Sequence, residues 1–129
     1  MQQYIPDERL RPYVRCIAIA ESDTEATYKV LPTTGLVMGF QYRGRLATIQ
    51  GGTAQPMATA GITGITNTYQ MFRNSAATGS VLVYFTETGF AHFCRQPVHE
   101  LFGKSVSLDN LFARQTIDDT EEQLSAATT

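Results

Sequence analysis

Ser80-Val81-Leu82-Val83-Tyr84-Phe85 is the stretch on which the fold turns. Valine, leucine and aromatic side chains run through it unbroken, and Gly79 and Thr86-Glu87-Thr88-Gly89 bound it, which is the pattern of a strand buried on both faces. The composition changes just beyond it. Before Thr88, short apolar runs alternate with glycine-rich breaks; after it come helix formers and capping residues. One domain is therefore expected, with a β part over residues 1–87 and a helical part over residues 88–129.

Upstream, Tyr13 to Glu21 reads as a first strand, nearly apolar on both faces. Tyr28-Lys29-Val30-Leu31 is a second, closed by the turn residues Pro32-Thr33-Thr34-Gly35. Leu36 to Tyr42 and Leu46 to Gln50 flank Arg43-Gly44-Arg45, which predicts a hairpin whose three-residue loop uses glycine for positive φ. Gly51-Gly52 is expected to end that hairpin. Between Met57 and Phe72 lie one or two strands interrupted at Gly61 and Gly64, followed by a loop from Asn74 to Gly79. The opening Tyr4 to Pro12 carries two prolines and reads as an extended lead-in with at most a short helical turn. Six or more short strands with turns between them predict a sandwich or barrel.

In the tail, Thr88 is placed to cap a helix through Arg95, and Ser107 to cap Leu108 to Phe112. Asp118 and Asp119 each have a glutamate three residues on, the capping-box spacing. Ile117, Glu121, Leu124 and Ala127 then recur at helical spacing. That helix runs out at Thr128-Thr129 without a C-cap glycine, as a cut through a longer protein would.

At 129 residues and 14.2 kDa the chain has one core's worth of surface to bury, about two thirds of what the unfolded chain exposes. Its formal net charge is -2 and its isoelectric point about 5.6, so the basic face of a nucleic-acid-binding domain is missing. No apolar stretch follows a basic start, and the longest early apolar run, Cys16 to Ala20, is too short to cross a bilayer. With two cysteines, Cys16 and Cys94, the composition suits the cytoplasm and no membrane.

Few residues suggest catalysis. His92 and His99 are separated by Pro97, which breaks the helix that would align them, and Cys94 and Glu100 alone do not complete a zinc site. Cys94, among Phe90, Phe93 and Phe102, reads as a packed thiol rather than a nucleophile. Gly61 and Gly64 lack the lysine and hydroxyl of a phosphate loop and read as bulge or turn positions. Arg9, Arg11 and Arg15 read as a solvated face, or as pairing with the carboxylates of Asp7 and Glu8. No metal, cofactor or catalytic residue is expected. Polar residues inside apolar strands are more informative: Gln41, Gln50, Tyr69, Gln70, Arg73 and Tyr84. By alternation Gln41 shares a face with Val37 and Gly39, and Tyr84 with Leu82. A buried polar group needs a partner, and a ligand can be one; Gln41, Gln50, Tyr69, Gln70 and Tyr84 are the candidate ligand-binding residues.

Three stretches together resemble a known family: Tyr4-Ile5-Pro6 through Leu10-Arg11-Pro12-Tyr13-Val14, then Val30-Leu31-Pro32-Thr33-Thr34-Gly35, then Tyr84-Phe85-Thr86-Glu87-Thr88-Gly89-Phe90 on to Pro97-Val98-His99-Glu100-Leu101. Their order and spacing resemble the N-terminal domain of AraC-type transcription regulators. Thr34 and Thr88 depart from that pattern, at positions where an acidic or small turn residue and a proline are usual. The resemblance implies a cupin-like β-barrel followed by two or three short helices, an unidentified small-molecule effector in the barrel, and contact with DNA only through a helix-turn-helix domain that these residues do not contain. It also implies that the tail helices bear on pairing of two copies. Leu108, Leu111, Phe112 and Leu124 are the candidate dimerisation residues, the alternative being that their stripe packs on the chain's own barrel. Two further functions compete with the sensor: a small metal-dependent cupin-type enzyme, and a purely structural dimerisation module whose barrel has collapsed.

Overall fold

The computed structural model describes residues 2–32, 34–95 and 97–127. Thr33 of the expected 32–35 turn and the expected run-out at Thr128-Thr129 lie outside the described residues. In chain order the strands are β1 (Gln2–Tyr4), β2 (Val14–Ser22), β3 (Ala26–Val30), β4 (Val37–Arg43), β5 (Leu46–Gln50), β6 (Thr53–Pro56), β7 (Ala60–Thr63), β8 (Gln70–Asn74), β9 (Thr78–Phe85) and β10 (Ser105–Ser107). They form two antiparallel sheets, one ordered β1-β2-β9-β4-β7-β10 and one ordered β3-β8-β5-β6. From β2 to β9 the chain passes back and forth between the sheets, with only β5 and β6 consecutive in one of them.

That alternation corrects the expected hairpin at residues 43–45. β4 pairs with β7 and β9, whereas β5 pairs with β6 and β8. Gly44 does take a positive φ, +74°, but it turns a corner between sheets, and a Cβ there would stand 2.6 Å from Thr78 Cγ2. A short glycine-centred link serves a hairpin or a corner equally well, so partner strands decide. The true hairpin is the next one. Gly51 and Gly52, at φ +57° and +81°, join β5 to the unexpected strand β6 with the two positive values that a type I′ turn requires.

The expectation of two or three tail helices also needs correction: among the described residues one α-helix forms, α1 (Arg114–Ala127). The segments capped by Thr88 and Ser107 are single 3-10 turns, Gly89–His92 and Leu108–Asn110, and neither residue makes a side-chain capping bond. Each turn inserts one apolar side chain, Phe90 or Leu108, and the chain then has to change direction, so the cost of nucleating a longer helix is never recovered. A third such turn, Val98–Leu101, inserts Leu101, and β10 then returns to the edge of the larger sheet beside β7. The α-helix begins four residues before Asp118. Arg114 at its start bridges Asp109 (3.0 Å) and Asp118 (3.5 Å), and Gln115 donates to Asp119 (2.9 Å). The aspartates thus serve as i,i+4 partners rather than caps.

The buried apolar core lies between the larger sheet and the tail. Phe40, Ile62 and Phe85 from the sheet join Phe90, Leu101, Leu108 and Ile117 in one cluster. Phe90 stands edge-on to Phe85 at 5.1 Å and to Phe112 at 6.2 Å, the aromatic geometry that adds to plain area burial.

Candidate functional site

Because strands alternate faces, the residues between those of the core point the other way, toward the smaller sheet. Val37, Gly39 and Gln41 of β4 and Ser80, Leu82 and Tyr84 of β9 line a cavity of about 420 Å³ between the sheets. The face assignments expected for Gln41 and Tyr84 hold. Tyr28, Val30, Gln70, Phe72 and Asn74 form the opposite wall from β3 and β8. Its size falls within the range of small-molecule sites, roughly 300–1,000 Å³. The space exists partly because Gly39 and Gly61 stand directly opposite in adjacent strands, leaving that stretch of wall without side chains. Gly61 is therefore mid-strand rather than at a bulge, and Gly64, just after β7, is where Leu101 crosses: a Cβ there would stand 1.9 Å from the Leu101 carbonyl oxygen.

The polar groups of the cavity divide into those used by the fold and those that are not. Gln41 is used. Its amide donates to the Ala58 carbonyl (3.2 Å) and accepts from the Leu46 N–H (3.1 Å), bracing the corner where the chain changes sheets. Asn74 is used too, donating to the carbonyls of Thr24 and Ser75, both at 2.9 Å. These braces stitch the end of the cavity formed by loops 23–25, 44–45, 57–59 and 75–77. Toward the other end stand Tyr28, Gln70 and Tyr84, whose side chains make no hydrogen bond to other described residues. Burial, then the nearby Tyr84 phenol, pushes the Tyr28 hydroxyl above its ordinary range. Burial, then Cys16, does the same to Tyr84. Both stay protonated at neutral pH and line the space between the sheets, Tyr28 with 40 % of its surface still exposed.

Of the five sequence-derived ligand candidates, the structure brings Gln41, Gln70 and Tyr84 to the cavity. Gln50 is exposed at the end of β5 beside the glycine hairpin. Tyr69 is 55 % exposed, and the Lys29 ammonium rests 4.4 Å above its ring. Neither lines the cavity. Arg73, the sixth polar strand residue, is exposed and reaches Thr27 (3.4 Å). Tyr28 was missed, although its alternation with Lys29 and its shared face with Val30 are legible in the strand.

The tail residues take the places of a core. Leu108 is 1 % exposed, and Leu111, Phe112 and Leu124 pack half-buried against the apolar cluster of their own chain. Beneath α1 a second, almost wholly apolar space of about 350 Å³ remains between helix and sheet. His92 lies against the Tyr13 ring at 4.8 Å, in the tail and away from the cavity. Among the described residues no three metal-ligating side chains cluster, and no helix is long and apolar enough to cross a membrane. Cys16 and Cys94 are not bonded to each other.

No curated protein and no solved structure matches this chain. Over residues 2–107, however, the sequence matches the family described as Domain of unknown function (DUF6597), and the chain belongs to that family.

Proposed function

We propose that this domain is the effector-sensing and dimerisation half of an AraC-type transcription regulator, with a cupin-like barrel as the sensor. Strand order supports the barrel: counted from β2 to β9, first-eighth-third-sixth faces second-seventh-fourth-fifth, the arrangement of a double-sheet jelly roll, the architecture cupins share. The motifs of the resemblance also fall at its entrances and exits, with residues 30–35 leading into β4 and residues 84–90 leading out of β9. DNA contact would belong to an attached helix-turn-helix domain.

The observation that carries the sensor reading is the cavity itself, open at about 420 Å³ and holding Tyr28, Gln70 and Tyr84 uncommitted. A collapsed barrel would favour the purely structural module instead. For the cupin-type enzyme, metal ligands belong on barrel strands, and both histidines stand on tail turns. A thermal-shift screen of a metabolite library tests the sensor, because a ligand bound only to the folded state raises its apparent stability. At least one neutral metabolite should raise Tm, and Leu82→Trp, which fills the cavity, should abolish the rise. A rise that survives Leu82→Trp would place binding elsewhere and remove the cavity's claim.

Pairing of two copies is the second part of the proposal. Leu108 is buried within its own chain, so the tail would contribute through the still half-exposed Leu111 and Leu124. Exchanging both for glutamate should move sedimentation to the monomer with the fold intact. Unfolding of the variant would assign both leucines to the core alone.

A further inference from the structure

Among the described side chains lining the inter-sheet cavity, Glu21 is the one that carries a formal charge, and that charge is already engaged. One carboxylate oxygen accepts the Tyr42 hydroxyl at 2.5 Å, and the other lies 3.9 Å from the Arg43 guanidinium. Arg43 in turn donates to the Thr78 carbonyl (3.2 Å). The basic side chains of the smaller sheet's wall point away from the cavity. Lys29 alternates with Tyr28 and Val30 and rests on Tyr69; Arg73 alternates with Phe72 and Asn74 and reaches Thr27. A carboxylate or phosphate entering this space would shed its water without meeting a cation, and a cation would meet a carboxylate whose oxygens already have partners.

Neutral polar groups stand at two ends: Gln41, Asn74, Thr78 and Ser80 at the end where Gln41 and Asn74 brace the fold, and Tyr28, Gln70 and Tyr84 at the other. Tyr28, Gln70 and Tyr84 supply hydroxyl and amide groups that can both donate and accept, whereas Leu46, Met57, Phe72 and Leu82 offer only apolar surface. We infer that the cavity takes an uncharged, mainly apolar small molecule whose single polar group hydrogen-bonds to Tyr28, Gln70 and Tyr84. The inference rests on the sensor reading and adds to it the chemical class of the ligand.

Four naphthalenes test it at pH 7: 2-naphthylmethanol, the 2-naphthoate anion, the 2-naphthylmethylammonium cation and 2-methylnaphthalene. Binding is followed by NMR at the Met57 and Leu82 methyl groups of the full chain. The alcohol should bind at least about ten-fold more tightly than either ion, since an unpaired charge loses its hydration. Tyr84→Phe should weaken the alcohol by about five-fold, the worth of one hydrogen bond, and leave 2-methylnaphthalene unchanged. An anion or cation that binds within a factor of about three of the alcohol overturns the charge assignment and leaves the sensor reading standing. Equal loss of the alcohol and of 2-methylnaphthalene in Tyr84→Phe overturns the polar contact. Methyl signals that none of the four probes moves overturn the sensor reading and this inference together.

Discussion

The two faces of the larger sheet are built from the same strands, yet the space of about 350 Å³ beside one is walled almost wholly by large apolar groups, whereas the hollow of about 420 Å³ beside the other takes glycines and polar groups. On β4, Met38 and Phe40 face the tail while Val37, Gly39 and Gln41 face the smaller sheet. On β9, Val83 and Phe85 meet the tail while Ser80, Leu82 and Tyr84 meet the cavity. The tail side gathers large apolar groups and recruits Phe90, Leu101 and Leu108 from three separate turns to complete them. The hollow side spends its positions on glycine, serine and threonine. The fully buried large side chains, and with them most of the burial energy, lie on the tail face, and the polar groups lie on the other.

The sharpest way to break this contrast is to remove one large side chain from each face. Phe90 is 1 % exposed and ringed by aromatic neighbours, so Phe90→Ala should cost about 3–5 kcal/mol in urea unfolding. Leu82 is only half-buried and its exchange removes fewer apolar atoms, so Leu82→Ala should cost about 2 kcal/mol or less. Equal losses would mean that the cavity face supports the fold as strongly as the tail face does.

Two glycines sharpen the comparison at smaller magnitude. An alanine at Gly64 would drive its Cβ into the Leu101 carbonyl and lift the 98–101 turn from the sheet; a loss of about 1–3 kcal/mol is expected, as for overpacking. An alanine at Gly39 would stand 3.3 Å from Leu82 Cδ2, the end of a flexible side chain with the cavity beside it. Stiffening the unfolded chain should make that change neutral or stabilising by about 0.5 kcal/mol. Matched denaturation curves of the two variants check both. A Gly39→Ala loss as large as that at Gly64 would show that the hollow face is not free to relax.

What was legible in the sequence follows the same division. Period-two alternation is a local property, so the shared faces of Gln41 with Gly39 and of Tyr84 with Leu82 were readable before any partner strand was known. Which strands pair is not local. Arg43-Gly44-Arg45 supports a hairpin as well as a corner, and the choice depends on β8 and β9, far along the chain. The tail misled for a related reason: Thr88 and Ser107 have capping chemistry, but tertiary contacts at Phe90 and Leu108 end each turn after a few residues. That Gln41 is committed to the fold is not legible, because its partners Ala58 and Leu46 come from elsewhere in the chain.

The smallest effect separates the faces by pH. Tyr42 is the residue at the bulge of β4; it lies over Gly79, where a Cβ would stand 2.3 Å from its ring, and donates to Glu21. Burial, then the hydrogen bond and charge of Glu21, push its hydroxyl up to about 12, with Arg43 pulling weakly the other way. A raised value means that the folded state holds the proton more tightly than the unfolded chain, whose tyrosine titrates near 10. Its contribution to stability is therefore complete below about pH 10 and is lost between about 10 and 12. Tyr28 and Tyr84 are raised as well, by burial in the cavity, so the whole protein should lose stability along the same slope. Tyr42→Phe should remove only part of that alkaline loss, while Tyr42→Phe combined with Tyr84→Phe should flatten it further. Urea midpoints measured from pH 8 to 11.5 give the comparison. If Tyr42→Phe leaves the slope of the wild type untouched, the bond to Glu21 does not hold in solution. If it abolishes the slope alone, the cavity phenols are hydrated like surface ones, and the hollow face is wetter than its apolar lining implies.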